Sequence, residues 1–311
     1  MTATHLVIGA GGVGSALALE LAHSGKNVVL VTRRGGGPRH ERIVRVAADA
    51  TNLDALRAAA PEAVAIYNCA NPPQYHKWPT LWPPLAKAFL GYAEATGAVL
   101  VTCSNLYGYG ETDGPLTEDL PLGATWPNGR VRAEMWAEAK ALHDAGRIRA
   151  TEVRASDYVC PGMQSRFGDR VVPVMRQGKP VMLLGGLDTP HSWTAPRDVA
   201  RLMAAIALDE RAWGRAWHVP SNPPKTQREV VADIAVALDV PLAGVRNYPP
   251  ALVAVLRAVS PLIRAFAHGD YMFNRPFILD DSAARTTFGI EPTPWSQVIG
   301  ELVAAYPATS S

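Results

Sequence analysis

A doubly wound α/β fold built on a parallel sheet is predicted by three observations. Short, near-continuous apolar runs recur through the first half of the chain, as strands buried on both faces require. Alanine- and leucine-rich helical stretches alternate with them one for one, which calls for parallel pairing through crossover helices. A glycine cluster, Gly9 to Gly14, joins the first run to the first helical stretch.

Taken in order, the strands are predicted at 5–8, 28–31, 43–47, 64–69 and 99–103. Helices are predicted between them at 13–23, 53–59, 82–96 and 131–145. Residues 149–155 and 216–219 read as later strands of the same sheet. Residues 161–196 are rich in Gly and Pro around an apolar run at 181–184, and helices follow at 196–208, 227–238 and 252–267. This predicts a dinucleotide-binding-type domain over 1–155. A smaller α/β substrate lobe fills most of 156–311, with later segments returning to the first sheet.

The 311 residues are 48% hydrophobic and 19% charged, ample for a buried core. Thirty Lys and Arg against 28 Asp and Glu leave a net charge of +2, which gives no reason to expect a nucleic-acid or anionic-membrane partner. The longest apolar stretch, 251–267, carries Arg257, Pro261 and Arg264, and reads as a packed helix pair rather than a span. Three cysteines without a C-x-x-C pair, and no basic apolar leader, point to a reduced, cytoplasmic setting. The histidines show no metal-ligand spacing, so no metal is expected.

Gly9-Ala10-Gly11-Gly12-Val13-Gly14 fits G-x-G-x-x-G at a strand-to-helix turn. Glycines let backbone N–H groups approach a pyrophosphate, and the helix N-terminus adds partial positive charge there. The second strand ends in Arg33-Arg34 rather than in the carboxylate that would hold the ribose hydroxyls of NAD. A basic pair suits a 2′-phosphate, so NADP(H) is preferred over NAD(H); the competing reading makes both arginines solvated loop charges. Asp49, at the end of the third strand, is placed either to accept from an adenine amino group or to start the next helix, with Thr51 or Asn52 as its cap.

These pieces resemble the extended short-chain dehydrogenase/reductase superfamily, in its NAD-dependent epimerase/dehydratase branch. The resemblance rests on the glycine turn, Asp49, Asn68-Cys69-Ala70, Leu106-Tyr107-Gly108 and Cys160-Pro161-Gly162. It continues through His191-Ser192-Trp193-Thr194, Arg197-Asp198-Val199-Ala200 and Phe288-Gly289 with Pro292-Thr293-Pro294, so it spans essentially the whole chain. It implies a Rossmann domain with Ala50, Ala70, Asn71, Ala155 and Ser156 as further cofactor contacts. It also implies a C-terminal lobe holding a carbonyl, alcohol or sugar-derived substrate, and a homodimer through 82–96 and 131–145, although a face buried within the chain would read the same.

The resemblance further implies a Ser/Thr, Tyr and Lys set, and here the chain departs from it. Cys103, with Ser104 beside it, stands at the Ser/Thr position; Asn128 stands where Tyr is expected and Arg132 where Lys is expected. Asn cannot exchange a proton near neutral pH, and Arg stays charged, able to hold ribose or phosphate but not to relay protons. Tyr107 is the substitute acid and Ser104 a group to orient the substrate oxygen, while Cys103 reads as a nucleophile or as a small buried residue. Tyr75, His76, Tyr109, Asp157, Tyr158, His191 and Tyr271 are candidate substrate contacts; each has a packing alternative. The expected function is an NADP(H)-dependent oxidoreductase or epimerase-like enzyme. The alternatives are a non-catalytic NADP(H)-binding sensor and a dehydratase or isomerase using transient oxidation.

Overall fold

Strand β1 (Thr4–Ile8) leads through the glycine turn into helix α1 (Gly12–His23), and β2 (Asn27–Thr32) returns beside β1. There follow β3 (Ile43–Ala47), α2 (Leu53–Ala59), β4 (Ala63–Asn68), α3 (Trp78–Thr96), β5 (Val99–Asn105), α4 (Pro127–Asp144) and β6 (Arg149–Ala155). The computed structural model describes residues 3–162 and 165–307.

The second half opens with β7 (Asp157–Tyr158), α5 (Val172–Arg176), β8 (Val181–Leu183) and β9 (Trp193–Thr194). It continues through α6 (Pro196–Ile206), β10 (Ala216–His218), α7 (Gln227–Leu238) and β11 (Val245–Asn247). Helices α8 (Pro250–Val259), α9 (Pro261–Ala267), α10 (Tyr271–Asn274), α11 (Ser282–Phe288) and α12 (Trp295–Ala304) complete it.

Seven strands form one sheet in the order β10-β6-β5-β4-β1-β2-β3, and every pairing in it is parallel. The apolar runs explain this: Leu6, Val7, Leu30, Ala65, Ile66 and Val101 are wholly buried, so both faces of the sheet need cover. One face packs α1 and α6 around Leu17, Val199, Met203 and Ile206. The other packs α3 against Leu6, Ile66 and Leu100 through Phe89, Tyr92 and Ala93, with Ala139 of α4 beside them. The strand order reverses between β1 and β4, where a doubly wound sheet opens its ligand crevice.

Residues 196–219 belong to this layer, since α6 lies on α1 and β10 pairs with β6. The lobe beside it is built on two short parallel pairs, β8 with β11 and β7 with β9, over a separate core that includes Phe167, Trp193, Val230, Ile234 and Leu302.

Three elements differ from the sequence expectation, one of them α4, which begins at Pro127 rather than near 131. Helix α3 begins at Trp78 rather than near 82, despite Pro79, Pro83 and Pro84. Trp78 and Trp82, one turn apart, are both buried and anchor that turn, which outweighs the hydrogen bonds the prolines remove. Residues 251–267 do form a helix pair, α8 and α9, but it packs along one side only: Ala265 lies on the Tyr75–Trp126 cluster, and neither helix fully buries a residue.

Candidate active site

The glycine turn is crowded in the way a ligand cradle requires. Gly9 holds φ +98°, and a Cβ there would lie 2.7 Å from the Cys69 carbonyl oxygen. A Cβ on Gly14 would lie 2.0 Å from the Gly9 carbonyl oxygen. Gly11 and Gly12 are exposed, and the first turn of α1 carries neither a side-chain cap nor a carboxylate. Its free N–H groups are therefore open to an anion. Val13 points into the core, and Ala10 is half-buried beside the loop that follows β2. A Cβ on Gly37 would reach to 3.2 Å from the Ala10 Cβ, which brings that loop against the turn. Arg33 and Arg34, on the same loop, are exposed. The residues present thus fit the pyrophosphate of a dinucleotide.

Asp49 sits in an Asx turn, accepting from the Thr51 N–H and hydroxyl at 2.9 Å each. These bonds, with the Arg33 charge, hold its carboxyl below the usual range. Asn52 is the cap of α2, accepting from the Ala55 N–H at 3.1 Å. Asp49 is exposed, with only its Oδ1 used by Thr51. Ala50 packs partly buried against the sheet, Ala70 donates its N–H to Asn68 Oδ1 at 3.3 Å, and Asn71 is exposed.

At the ends of β4 and β5 the side chains of α4 meet the strands. The Asn128 amide donates to the Tyr75 carbonyl at 3.0 Å, so it fastens the segment after β4 rather than facing open space. Arg132 is buried, donates from Nη2 to the Cys103 carbonyl at 2.8 Å, and lies over the Trp82 ring at 4.5 Å. Its Nε has no protein partner, an orphaned buried donor. The Cys103 thiol lies 3.6 Å from the Tyr158 hydroxyl, and burial pushes it up, against a thiolate nucleophile. Ser104 is buried opposite Arg154 in the β5–β6 register.

An aromatic wall rises beside them. Tyr107 lies edge-on to Tyr75, 5.1 Å from Trp126 and 6.1 Å from Trp78 between ring centroids. Burial, then the neighbouring Tyr75 phenol and the Asp157 charge, push the Tyr107 phenol well above its ordinary value. Tyr271, half-buried nearby, is pushed up to about 12, chiefly by burial. His76 is exposed on the short turn before α3.

Asp157 and His191 form the charged centre of the lobe side. His191 is stacked on Phe273 at 4.6 Å and 1% exposed. Its Nδ1 lies 3.0 Å from the Met272 carbonyl, which can only accept, so Nδ1 carries a proton. Its Nε2 lies 3.0 Å from Asp157 Oδ2. Burial would raise the Asp157 carboxyl, but the His191 hydrogen bond and charge, with Arg166 beyond, hold it below its ordinary value. Ser156 reaches the same His191 Nε2 at 3.4 Å and takes its backbone bond from Thr194, while Ala155 is buried in the sheet core.

Tyr109 is drawn elsewhere. Its hydroxyl accepts from Arg154 at 2.6 Å and donates to His218 Nε2 at 2.7 Å, behind the wall, with Arg154 paired to Glu152 at 2.7 Å. Sequence reasoning missed Trp126, Phe266 and Arg166. Trp126 carries the signal of a residue before a helix-opening proline. Arg166 lies 3.6 Å over Phe273 and donates to the Leu184 carbonyl, and nothing in its Gly- and Pro-rich surroundings marks it.

The profile of the NAD dependent epimerase/dehydratase family matches residues 5–219, and the chain belongs to that family. Comparison with curated proteins finds no match. Among solved structures, an epimerase of Methanothermobacter thermautotrophicus superposes with a TM-score of 0.80 at 19% identity, over 97% of this chain and 91% of that one. The dTDP-glucose 4,6-dehydratase of Bacillus anthracis, in complex with NAD, gives 0.77 at 19% identity, over 98% and 96%. The UDP-glucuronic acid 4-epimerase of Bacillus cereus, also with NAD, gives 0.77 at 17%, over 97% and 98%. The shared architecture is the Rossmann-type sheet with its appended lobe.

Proposed function

We propose that this member of the NAD dependent epimerase/dehydratase family is an NADP(H)-dependent oxidoreductase or epimerase-like enzyme acting on a small polar carbonyl, alcohol or sugar-derived compound. The observation that carries the reading is one sheet edge bearing both a glycine cradle and a proton-holding wall of Tyr75, Tyr107 and the Asp157–His191 pair. Bound nicotinamide would supply or accept hydride there. The exposed Arg33 and Arg34, with no carboxylate in their place, favour a 2′-phosphate.

The chain's own groups then divide the work. Tyr107 keeps its phenol proton at neutral pH and is the group set to donate to a carbonyl oxygen, burial making it a weaker acid than a free phenol. The Asp157–His191 pair faces the same wall as its polar side. Arg132 offers its unpartnered Nε to a ribose or substrate oxygen without moving a proton. Tyr75, Trp78 and Trp126 give a ring-shaped substrate an apolar face to lie on.

A screen of polar aldehydes, ketones and sugar derivatives, read as NADPH consumption, tests this. Tyr107→Phe keeps the ring and should lower kcat by about 10²–10⁴-fold; an unchanged kcat removes Tyr107 from the mechanism. A second reading, a non-catalytic NADP(H) sensor, is favoured by Asn128 and Arg132 spending bonds on the Tyr75 and Cys103 carbonyls. Tight NADPH binding with no turnover of any compound would select it. Product formation with the cofactor recovered unchanged would select transient oxidation instead.

A further inference from the structure

Helices α8 and α9 form the one helix pair of the described residues whose joint length and apolarity approach those of a membrane-inserting segment, and they bend by 119° at Ser260. Neither half is long enough to cross a bilayer, and no single helix among the described residues is both long and apolar enough. Leu252, Val255, Leu256, Val259 and Leu262 stand exposed on the pair, Val255 by 60% and Val259 by 72%. A soluble surface scatters such residues singly; a contiguous set on two successive helices marks a contact face.

The charges around this face choose its partner. Residues 240–269 contain no Asp or Glu, yet carry Arg246, Arg257, Arg264 and His268. Arg257 pairs with Asp270, just outside the stretch. Arg264 bonds only to the Arg257 and Ala258 carbonyls, so no carboxylate among the described residues compensates its charge. A second copy of the chain would have to meet this face with itself across a two-fold axis, bringing cations onto cations. The outward apolar set on the two helices is Leu and Val, and residues 240–269 hold no Trp or Met, the large anchors that protein interfaces favour. Aliphatic side chains flanked by arginines, with Tyr248 at the start of the stretch, are the composition of a helix lying in the headgroup layer of an anionic bilayer.

We propose that the α8–α9 hairpin is a peripheral docking face for an anionic lipid surface. Its inner side closes the aromatic wall: Phe266 stacks on Tyr75 at 4.5 Å and His268 on Trp126 at 6.4 Å. Docking therefore sets the edge of the candidate active site against the lipid surface. The net charge of +2 hides this because the acidic residues lie elsewhere in the chain.

The test is flotation of the whole protein with vesicles of phosphatidylcholine alone and with a third of the lipid replaced by phosphatidylglycerol. Binding is expected only to the second and should weaken as salt is raised. The exposed double variant V255E/V259E should reduce it by roughly tenfold or more, and R264E should reduce it in the same direction. NADPH binding and the circular dichroism of each variant serve as the check of folding; if V255E/V259E is unfolded, R264E alone carries the comparison. Absence of binding to both vesicles overturns the proposal. So does a concentration-dependent dimer, seen by sedimentation and abolished by V255E/V259E, because the face would then belong to a second copy. Equal binding to both vesicle types also overturns it, since the arginines would have no role.

Discussion

At Gly9 the backbone needs φ +98° and the Cys69 carbonyl leaves no room for a methyl group, so the residue is fixed by two independent causes. Gly9→Ala should cost about 2–4 kcal/mol of stability in urea unfolding; a loss under about 0.5 kcal/mol would mean that the turn relaxes freely. This residue was legible in the sequence because its constraint is local, a turn between adjacent elements. Asn128 and Arg132 were legible only in part. The resemblance placed them at the opening of the helix after β5, but their partners, the Tyr75 and Cys103 carbonyls, come from segments far away in the chain. Arg166 and the His191–Asp157 contact were illegible, since each depends on a neighbour that only the fold supplies. Tyr109 shows the same limit: its position beyond β5 suggested a substrate contact, and Arg154 with His218 engages its hydroxyl instead.

Among the elements, the parallel strands were read within a few residues because burial on both faces leaves a run that no surface segment copies. Helix starts were harder. Helix α3 was read from 82 and begins at Trp78, whose burial extends it by a turn. Helix α6 is held by Asp198, which is buried and accepts from the Thr293 N–H at 2.9 Å and hydroxyl at 2.6 Å, tying the helix to the C-terminal segment before α12. Asp198→Ala strands these donors and should lower stability by about 2–3 kcal/mol, measured by urea denaturation. Asp198→Asn should recover part of that loss, since its amide oxygen still accepts one of the two bonds; equal losses in the two variants would show that packing, not hydrogen bonding, is the role of this side chain.

For the molecule as a whole, two buried histidines set the acid side of stability. His218 donates from Nδ1 to the Asp280 carbonyl at 2.8 Å and accepts from Tyr109, so it is held neutral. Burial pulls it down to about 4, and burial with the Lys26 charge does the same to His5. The unfolded chain, titrating near 6.5, takes up these protons first, so stability is complete above pH 6.5 and falls as pH drops toward 4. The loss should approach roughly 3 kcal/mol per histidine, and His218→Gln should flatten the pH dependence of the urea midpoint over that range. A slope unchanged by the substitution would assign it to other groups. On the proposed function, the glycine cradle and the basic loop beside it hold a 2′-phosphorylated dinucleotide. Parallel titrations with NADPH and NADH, read by nicotinamide fluorescence on the wild type and Arg33→Ala, measure this. NADPH should bind at least about tenfold more tightly than NADH, and Arg33→Ala should remove most of that difference while leaving NADH unchanged. Equal affinities that the substitution does not alter would contradict the assignment of the basic loop, and no binding of either nucleotide would contradict the account as a whole.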